Sequence, residues 1–310
     1  MKRSITQGID ILKSGGVLAI PTETVYGLAA DAMNVEAVQK TFALKGRPAD
    51  NPLIVHIAGL DQLHQIAETI PEEAALLADA FWPGPLTLVL PKKPAVPDIV
   101  TAGLPTVAVR MPDHPIALQI IEKAGPLTAP SANKSGRPSP TRIEHLVQDF
   151  GQEIDFVDGG ECTIGIESTV LDLTERPFTV LRPGAISASQ LSGVIGESVA
   201  TAPDSGRQGR SPGTRYVHYK PAAAVRWLDP EGEPEANTLY ILHSGSLSFH
   251  GVRQVEFNRD YNAMARQLYD LYRRADANNL TAIYIEKFPK NFREGLLQAL
   301  INRIQRSVGE

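Results

Sequence analysis

Short apolar runs and helix-like repeats follow one another through the first part of the chain. The run at residues 17–20 ends at Pro21, as expected of a strand that enters a loop. Val35, Val38 and Phe42 then recur at helical spacing, which predicts a helix over residues 35–44. The same reasoning predicts strands at residues 53–57, 86–90, 106–109, 127–130, 155–157, 169–173 and 178–181, and helices at residues 62–67, 72–81, 114–123 and onward from 141. This mixed order, without strict alternation of strand and helix, predicts an α/β domain with a mixed, twisted sheet and flanking helices.

The composition changes near residue 200. Residues 204–220 are rich in Gly, Ser, Pro and Arg and contain no acidic residue beyond Asp204, which is typical of a linker. Beyond it, strands are predicted at residues 225–228, 239–243, 252–257 and 281–285, with helices at residues 261–275, N-capped by Asp260, and 291–304. We therefore predict a larger α/β domain at residues 1–203, a linker at 204–222, and a small, Rossmann-like α/β domain at 223–310.

The bulk composition limits the function classes. A formal net charge of −5 argues against a generally basic nucleic-acid binder. The single cysteine, Cys162, excludes an intramolecular disulfide and favours a reducing compartment. Polar residues interrupt the sequence after Lys2 and Arg3, so no signal-peptide core forms, and no apolar run approaches the roughly 20 residues that cross a bilayer. We expect a soluble, cytoplasmic protein.

Two basic residues flank a glycine where the first long helix should end. Gly46 can terminate that helix and Pro48 prevents its continuation. Lys45 and Arg47 could serve as cations that complement the helix dipole, which is the interpretation that the segment favours on its own. They could also clamp a triphosphate, with Arg as a fork and Lys as a point charge. Asn51 follows closely and precedes the next strand.

A second polar segment, residues 131–136, lies between a predicted strand and a predicted helix. Its backbone amides, its hydroxyl groups and the start of the helix could together hold an anion. The alternative is an ordinary loop rich in turn-forming residues, but the position after a strand favours function. Ser139 lies between two prolines, which makes it part of a rigid platform.

Several further polar residues stand at strand ends. Thr24 lies in the turn after the first strand, where a ligand site and a plain β-turn are equally supported. His56 ends a strand, and a lone histidine there is more often a core residue. Arg110 ends another strand and favours carboxylate binding, because a buried arginine needs a partner. His64 and His145 are expected on exposed helical faces.

Familiar catalytic motifs are absent from the sequence. Ser168 beside Glu167 suggests a hydrolase, but no Gly-x-Ser-x-Gly elbow or triad order accompanies it. No Walker loop, Gly-x-Gly-x-x-Gly fingerprint or His-Glu-x-x-His motif occurs either, so a bound nucleotide needs a different design. Glu23, Asp31 and Glu167 are candidate general bases, and a structural role is favoured for each.

Together these segments resemble the YrdC-like threonylcarbamoyl-adenylate synthases, in the longer form with an extra C-terminal domain. The matching segments are residues 21–27, 45–48, 129–136, 167–170, 181–184 and the linker segment 211–221. The resemblance covers essentially the whole chain. It implies that residues 1–203 are the YrdC-like catalytic domain and that the linker at 204–222 acts as a lid. It departs at Thr214 and Arg215, where the family more often has Met-Lys.

The resemblance implies an enzyme that joins L-threonine, bicarbonate and ATP into threonylcarbamoyl-AMP, with release of pyrophosphate. A threonine-derived carbamate would attack the α-phosphate, and partner proteins would transfer the threonylcarbamoyl group to a tRNA adenosine. The residues implied for L-threonine are Thr24, His56, Arg110, Ala129 and Ser168. Those implied for ATP are Arg47, Asn51, Ser131, Asn133, Ser139, Arg182 and Tyr216.

Lys45 and Arg47 would act as the catalytic cations. Mg²⁺ would accompany ATP, without a metal site built from the protein's own side chains. A transient tRNA contact stays open, and no membrane partner is expected.

Two other function classes remain as alternatives. The first is a non-catalytic RNA-binding protein that uses Arg207, Arg210, Arg215 and Lys220 beside a concave sheet. The net negative charge and an aromatic content of 6% count against it. The second is a transferase that uses carbamoyl phosphate, but no acyl-phosphatase-like or zinc module accompanies the chain, so it comes last.

Overall fold

The computed structural model describes residues 1–202, 219–289 and 295–309, which form two sheets with their helices. The strands of the larger sheet are β1 (Leu18–Ile20), β2 (Gly27–Asp31), β3 (Ile54–His56), β4 (Leu86–Pro91), β5 (Thr106–Arg110), β6 (Leu127–Thr128), β7 (Asp155–Phe156), β8 (Thr169–Asp172), β9 (Thr179–Arg182) and β10 (Ala200–Thr201). Its helices are α1 (Ile5–Lys13), α2 (Val35–Lys45), α3 (Leu60–Ile66), α4 (Glu72–Phe81), α5 (Asp98–Thr101), α6 (Pro115–Ala124), α7 (Ile143–Phe150) and α8 (Ala188–Ile195). We call this part the large domain.

The large sheet mixes parallel and antiparallel neighbours, as predicted. Its strand order is β10-β9-β8-β4-β5-β3-β6-β2-β1-β7. The central strand β4 is buried through Leu86–Leu90 and is apolar there except at Thr87, because both of its faces are covered. Leu88 and Val109 face the main core under the helices, whereas Val89 and Ala108 face the opposite side in a much smaller cluster. That thinner face leaves room for a cleft.

The second sheet is entirely parallel and forms what we call the small domain. Its elements are β11 (Ala224–Trp227), β12 (Thr238–Leu242), β13 (Arg253–Glu256), β14 (Ala282–Ile285), α9 (Tyr261–Ala277) and α10 (Gly295–Val308). The strand order is β11-β14-β12-β13, and every pairing is parallel, as in a Rossmann-like unit. The predicted N-cap is confirmed, because the Asp260 side chain accepts a hydrogen bond from the Ala263 amide at the start of α9.

The two domains pack closely through α9. Val25 and Ile166 of the large domain join the apolar core of the small domain. Gly165 has a φ of +84°, and a Cβ there would lie 2.3 Å from the Arg266 Cα, so the backbones approach too closely for any side chain. The predicted linker at residues 204–222 falls largely outside the described residues.

One predicted histidine environment is wrong. His145 was expected on an exposed face, but it is 2% exposed, and its Nε2 lies 3.1 Å from the Asp270 Oδ1 of α9. The helix α7 is covered by a domain that is distant in sequence, which local periodicity does not reveal. His64 is exposed, as expected. Among the described residues, no helix is both long and apolar enough to cross a membrane.

Candidate functional site

A cleft of about 670 Å³, its open mouth included, lies on the thin face of the large sheet. Its lining includes ten of the predicted site residues: Thr24, Arg47, His56, Arg110, Ala129, Ser131, Asn133, Ser139, Ser168 and Arg182. Lys45 and Asn51 are buried but do not line the cleft, and Tyr216 lies outside the described residues. Segments far apart in sequence therefore meet at one place.

The sheet itself positions one end of the cleft. His56 and Arg110 are directly paired on the neighbouring parallel strands β3 and β5. The Arg110 Nη2 lies 2.6 Å from a Glu23 carboxylate oxygen, Nη1 donates to the Thr24 Oγ1 at 2.9 Å, and Nε donates to the Gly84 carbonyl at 3.2 Å. The guanidinium is thus held in one orientation before any ligand binds.

His56 is a neutral imidazole in this setting. Burial, and secondly the charge of Arg110, lower its pKa from 6.5 to about 3. Its Nδ1 lies 3.3 Å from the Ile54 carbonyl oxygen. A tautomer that carries its proton on Nδ1 donates there and leaves Nε2 as an acceptor, which suits a ligand hydroxyl group.

The hydroxyl group of Ser168 is held between two neighbours. Its Oγ lies 2.8 Å from the Thr87 Oγ1 and accepts from the Arg182 Nη2 at 3.1 Å. The Arg182 Nε also donates to the Ser168 carbonyl at 3.1 Å. Among the described residues, the Ser168 hydroxyl group has no histidine partner.

Side-chain bonds to backbone carbonyls hold the segment after α2. The helix ends at Gly46, whose φ of 60° is left-handed, as predicted for the terminating glycine. The Arg47 Nη2 then donates to the Pro52 carbonyl at 2.9 Å, and its Nε to the Asn51 carbonyl at 3.3 Å. The buried Asn51 amide has no hydrogen-bond partner for either Oδ1 or Nδ2 in the part of the chain described. An unsatisfied buried group costs about 1–3 kcal/mol, so its presence here favours a ligand role.

Lys45 is turned towards protein carbonyls. Its Nζ donates to the Asn133 carbonyl at 2.7 Å and to the Ser131 carbonyl. Burial, followed by the charge of Arg47, lowers the pKa of Lys45 well below its usual value. The residue ties the end of α2 to the polar loop at 131–136. Its catalytic role stays a prediction.

Glu167 connects the cleft to the small domain. Its carboxylate accepts hydrogen bonds from the Ser139 Oγ at 2.6 Å, the Tyr269 hydroxyl at 3.1 Å and the Arg303 Nε at 2.8 Å. Burial alone would raise the pKa of Glu167, but the guanidinium groups of Arg303 and Arg182 outweigh it and hold the pKa below its usual value. Glu167 is thus an ionised structural acid, as the sequence favoured.

The sequence analysis missed two residues that reach this site, Tyr269 and Arg303. A signal for Arg303 existed, because it lies within the apolar stripe that Leu300 and Ile304 form on α10. A charged residue on such a stripe needs a buried partner. The partner itself is more than a hundred positions away and leaves no local mark.

The residues near the cleft do not form a protein cage for a metal ion. Among the described residues no group of three His, Cys, Asp or Glu side chains could hold one. The two acids that approach the cleft, Glu23 and Glu167, are each paired with an arginine. Both carboxylates therefore already have cationic partners in the described structure.

Comparison with known proteins agrees with this architecture. The Sua5/YciO/YrdC family model, which bears the description telomere recombination, matches residues 10–184, and the model of the threonylcarbamoyl-AMP synthase C-terminal domain matches residues 186–309. A threonylcarbamoyl-AMP synthase of Pyrococcus abyssi is 43% identical over 96% of this chain and 92% of its own length. One of Bacillus subtilis is 42% identical over 98% and 93%.

A solved structure is similar over the same extent. The crystal structure of Pyrococcus abyssi Sua5 complexed with L-threonine aligns with a TM-score of 0.89 and 41% identity, covering 98% of this chain and 94% of that one. The likeness thus spans both domains. The chain belongs to the Sua5/YciO/YrdC family, in the form that carries the threonylcarbamoyl-AMP synthase C-terminal domain.

Proposed function

We propose that this cleft condenses L-threonine, bicarbonate and ATP into threonylcarbamoyl-AMP and pyrophosphate. The observation that carries the proposal is the convergence of Arg47, Arg110 and Arg182 with amide and hydroxyl groups on one cleft. Relatives at 42–43% identity bear the name of this synthase, and a structure 41% identical was crystallised with L-threonine. The chemistry needs positioned cations rather than a nucleophilic side chain, because transfer at phosphorus depends mainly on orientation and charge neutralisation.

The strand-end part of the cleft is assigned to L-threonine. The fixed Arg110 guanidinium suits the amino acid carboxylate, and the neutral His56 suits its hydroxyl group. Thr24 and Ser168 add hydroxyl groups, and Ala129 contributes a small apolar surface beside them.

The remaining polar lining is assigned to ATP. Arg47 and Arg182 supply positive charge, and Ser131, Asn133 and Ser139 supply hydrogen-bonding groups. In the reaction, bicarbonate first converts the threonine amine to a carbamate with loss of water. A carbamate oxygen then bonds to the α-phosphorus, the bond from that phosphorus to the bridging oxygen breaks, and pyrophosphate leaves with that oxygen. Lys45 contributes by holding the loop that carries Ser131 and Asn133.

The wider setting follows from the product. Mg²⁺ is proposed to arrive as its ATP complex and to neutralise phosphate charge. Proteins that transfer the threonylcarbamoyl group to tRNA are proposed as downstream partners, since a labile acyl adenylate needs a prompt acceptor. A cytoplasmic location is proposed because that is where such an acceptor system and ATP occur together.

Pyrophosphate release tests the proposal directly. The full chain is given MgATP, with L-threonine and bicarbonate each added or omitted. We expect release only when both are present. Release that needs neither would indicate a plain ATPase. If a folded chain releases no pyrophosphate and binds tRNA with a strong dependence on salt, the RNA-binding alternative would be favoured instead.

A further inference from the structure

The small domain reaches the wall of the cleft through two buried side chains. Arg303 on α10 is fully buried and donates from Nε to the Glu167 Oε2 at 2.8 Å. Tyr269 on α9 is also fully buried and donates from its hydroxyl group to the same oxygen at 3.1 Å. The other oxygen of Glu167 accepts from the Ser139 Oγ at 2.6 Å. A continuous hydrogen-bonded chain therefore runs from the small domain to a residue that lines the cleft.

We infer that Arg303 is a positioning residue for ATP, which makes the small domain part of the catalytic machinery. This inference rests on the proposed function and adds to it a residue outside the family motifs matched above. Arg303 acts through Glu167, to which its Nε donates a hydrogen bond.

The first effect concerns the hydroxyl proton of Ser139. A serine hydroxyl group can donate one hydrogen bond, and Ser139 donates that bond to the ionised carboxylate of Glu167. The Ser139 oxygen therefore faces the cleft as an acceptor and selects a ligand group that donates, such as a nucleotide hydroxyl or amino group. Arg303 keeps Glu167 ionised despite its burial. Arg303 therefore determines, without touching Ser139, that the Ser139 oxygen acts as an acceptor towards the ligand.

The second effect concerns the backbone. The Arg303 Nη2 donates to the Pro183 carbonyl at 3.0 Å while its Nε holds Glu167. These two contacts clamp the segment that carries Ser168 to the segment that carries Arg182. The Arg303 guanidinium also lies 5.4 Å from the ring centre of Tyr219, another cleft-lining residue. One side chain thus fixes three parts of the wall.

Stability alone does not account for such a pair. Desolvation of a buried ion pair offsets much of its attraction, so replacement by apolar residues is often neutral or favourable. The domains already meet through the apolar contacts of Val25 and Ile166 and through the closely packed Gly165. The location of the acid on the cleft gives the pair its further role.

A matched pair of tyrosines provides the test. Tyr269 and Tyr272 are both fully buried on α9, but the Tyr272 hydroxyl pairs with the Ser307 Oγ at 2.9 Å, inside the small domain. We compare Tyr269→Phe with Tyr272→Phe by pyrophosphate release, with KM for ATP, kcat and Tm measured for each. We expect KM for ATP to rise about tenfold in Tyr269→Phe and less than about twofold in Tyr272→Phe, because only the first removes a bond to Glu167.

Substitutions of the arginine extend the test. Arg303→Met should lower kcat/KM for ATP about 10²-fold, and Arg303→Lys should recover part of that loss because it restores the charge without the fork. The effects of Arg303→Met and Glu167→Gln should be strongly non-additive in the double variant. Affinity for L-threonine should change less than affinity for ATP in every case.

Three outcomes separate this inference from the proposed function. If Tyr269→Phe and Tyr272→Phe lose equal activity with ATP, and the loss follows the fall in Tm, then Arg303 only helps to hold the two domains together. That result would overturn the inference. A wild-type chain that binds ATP in calorimetry but releases no pyrophosphate would overturn the proposed function, while the ATP affinities of the same variants would still decide the inference. A wild-type chain that does not bind ATP would overturn both.

Discussion

The two ends of the cleft are built in different ways. At the strand end, His56 and Arg110 are set by the pairing of β3 with β5. At the loop end, Arg47 and Lys45 are set by their own bonds to the carbonyls of residues 51, 52, 131 and 133. A sheet fixes its residues whether or not their side chains are intact, whereas the loop depends on the side chains that also serve the ligand. Substitutions at the loop end should therefore disturb ATP use more than their lost contact alone explains.

The largest effect is expected for Arg47→Ala. The change removes a cation from the cleft and also releases the segment at Asn51 and Pro52. We expect kcat/KM for ATP to fall about 10³-fold with the fold retained, as for the loss of an arginine that stabilises phosphate charge. The measurement is pyrophosphate release together with a circular dichroism spectrum. Arg176→Ala, which removes an exposed arginine far from the cleft, should retain activity. Near-normal turnover of Arg47→Ala would contradict the phosphate assignment.

A smaller effect on ATP use is expected for Lys45→Met. The substitution removes the tie between α2 and the loop at Ser131 and Asn133. Loss of these two hydrogen bonds should lower kcat/KM for ATP about 10²-fold, with L-threonine affinity unchanged. Lys40→Met on the same helix is the control, because the Lys40 Nζ donates to the Gly15 carbonyl away from the cleft. An isolated loss of kcat, with KM unaltered, would instead support direct catalysis by Lys45.

His56 tests the strand end through stability. Its folded pKa of about 3 lies below the unfolded value of 6.5, so the unfolded chain binds the extra proton between these values. The stability that the neutral His56 contributes to the folded state is fully present above about pH 6.5 and is lost as the pH falls towards 3. From pH 6.5 to 5 the free energy of unfolding should drop by about 2 kcal/mol more in the wild type than in His56→Asn. The exposed His64 provides the control variant, His64→Asn, which should follow the wild type in urea titrations.

The smallest effect is expected for Asn51→Ala. The buried amide lacks partners in the described structure, so its removal should leave the free energy of unfolding unchanged or raise it by about 1 kcal/mol. If ATP supplies the missing partners, KM for ATP should rise about tenfold. A drop in stability with an unchanged KM would show that Asn51 supports the fold only.

Local patterns predicted the strand end well. The strand over residues 106–109 and the placement of Arg110 at its end follow from one apolar run, and β5 has nearly these bounds. The helix predicted at residues 72–81 agrees with α4. The first helix, α1, was missed although Ser4 and Gln7 form a capping box and Ile5, Ile9 and Leu12 recur at helical spacing. The strand β2 was missed because Gly27–Asp31 is short and rich in alanine.

Contacts between distant segments were beyond local prediction. Nothing in residues 45–47 distinguishes the lysine that turns to protein carbonyls from the arginine that lines the cleft. The burial of His145 and the reach of Arg303 to Glu167 depend on how α9 and α10 pack on the large domain. These contacts depend on which distant residues meet in the fold, and a single sequence does not show which residues those are.

Calorimetric titration of each substrate into two variants tests whether the cleft is divided between L-threonine and ATP. Arg47→Ala removes a loop-end cation, and Ser168→Ala removes a hydroxyl group that Arg182 and Thr87 hold at the strand end. We predict that Arg47→Ala loses most of its ATP affinity and keeps that for L-threonine, whereas Ser168→Ala shows the reverse. Equal weakening of both ligands in both variants would contradict a cleft divided between threonine and nucleotide.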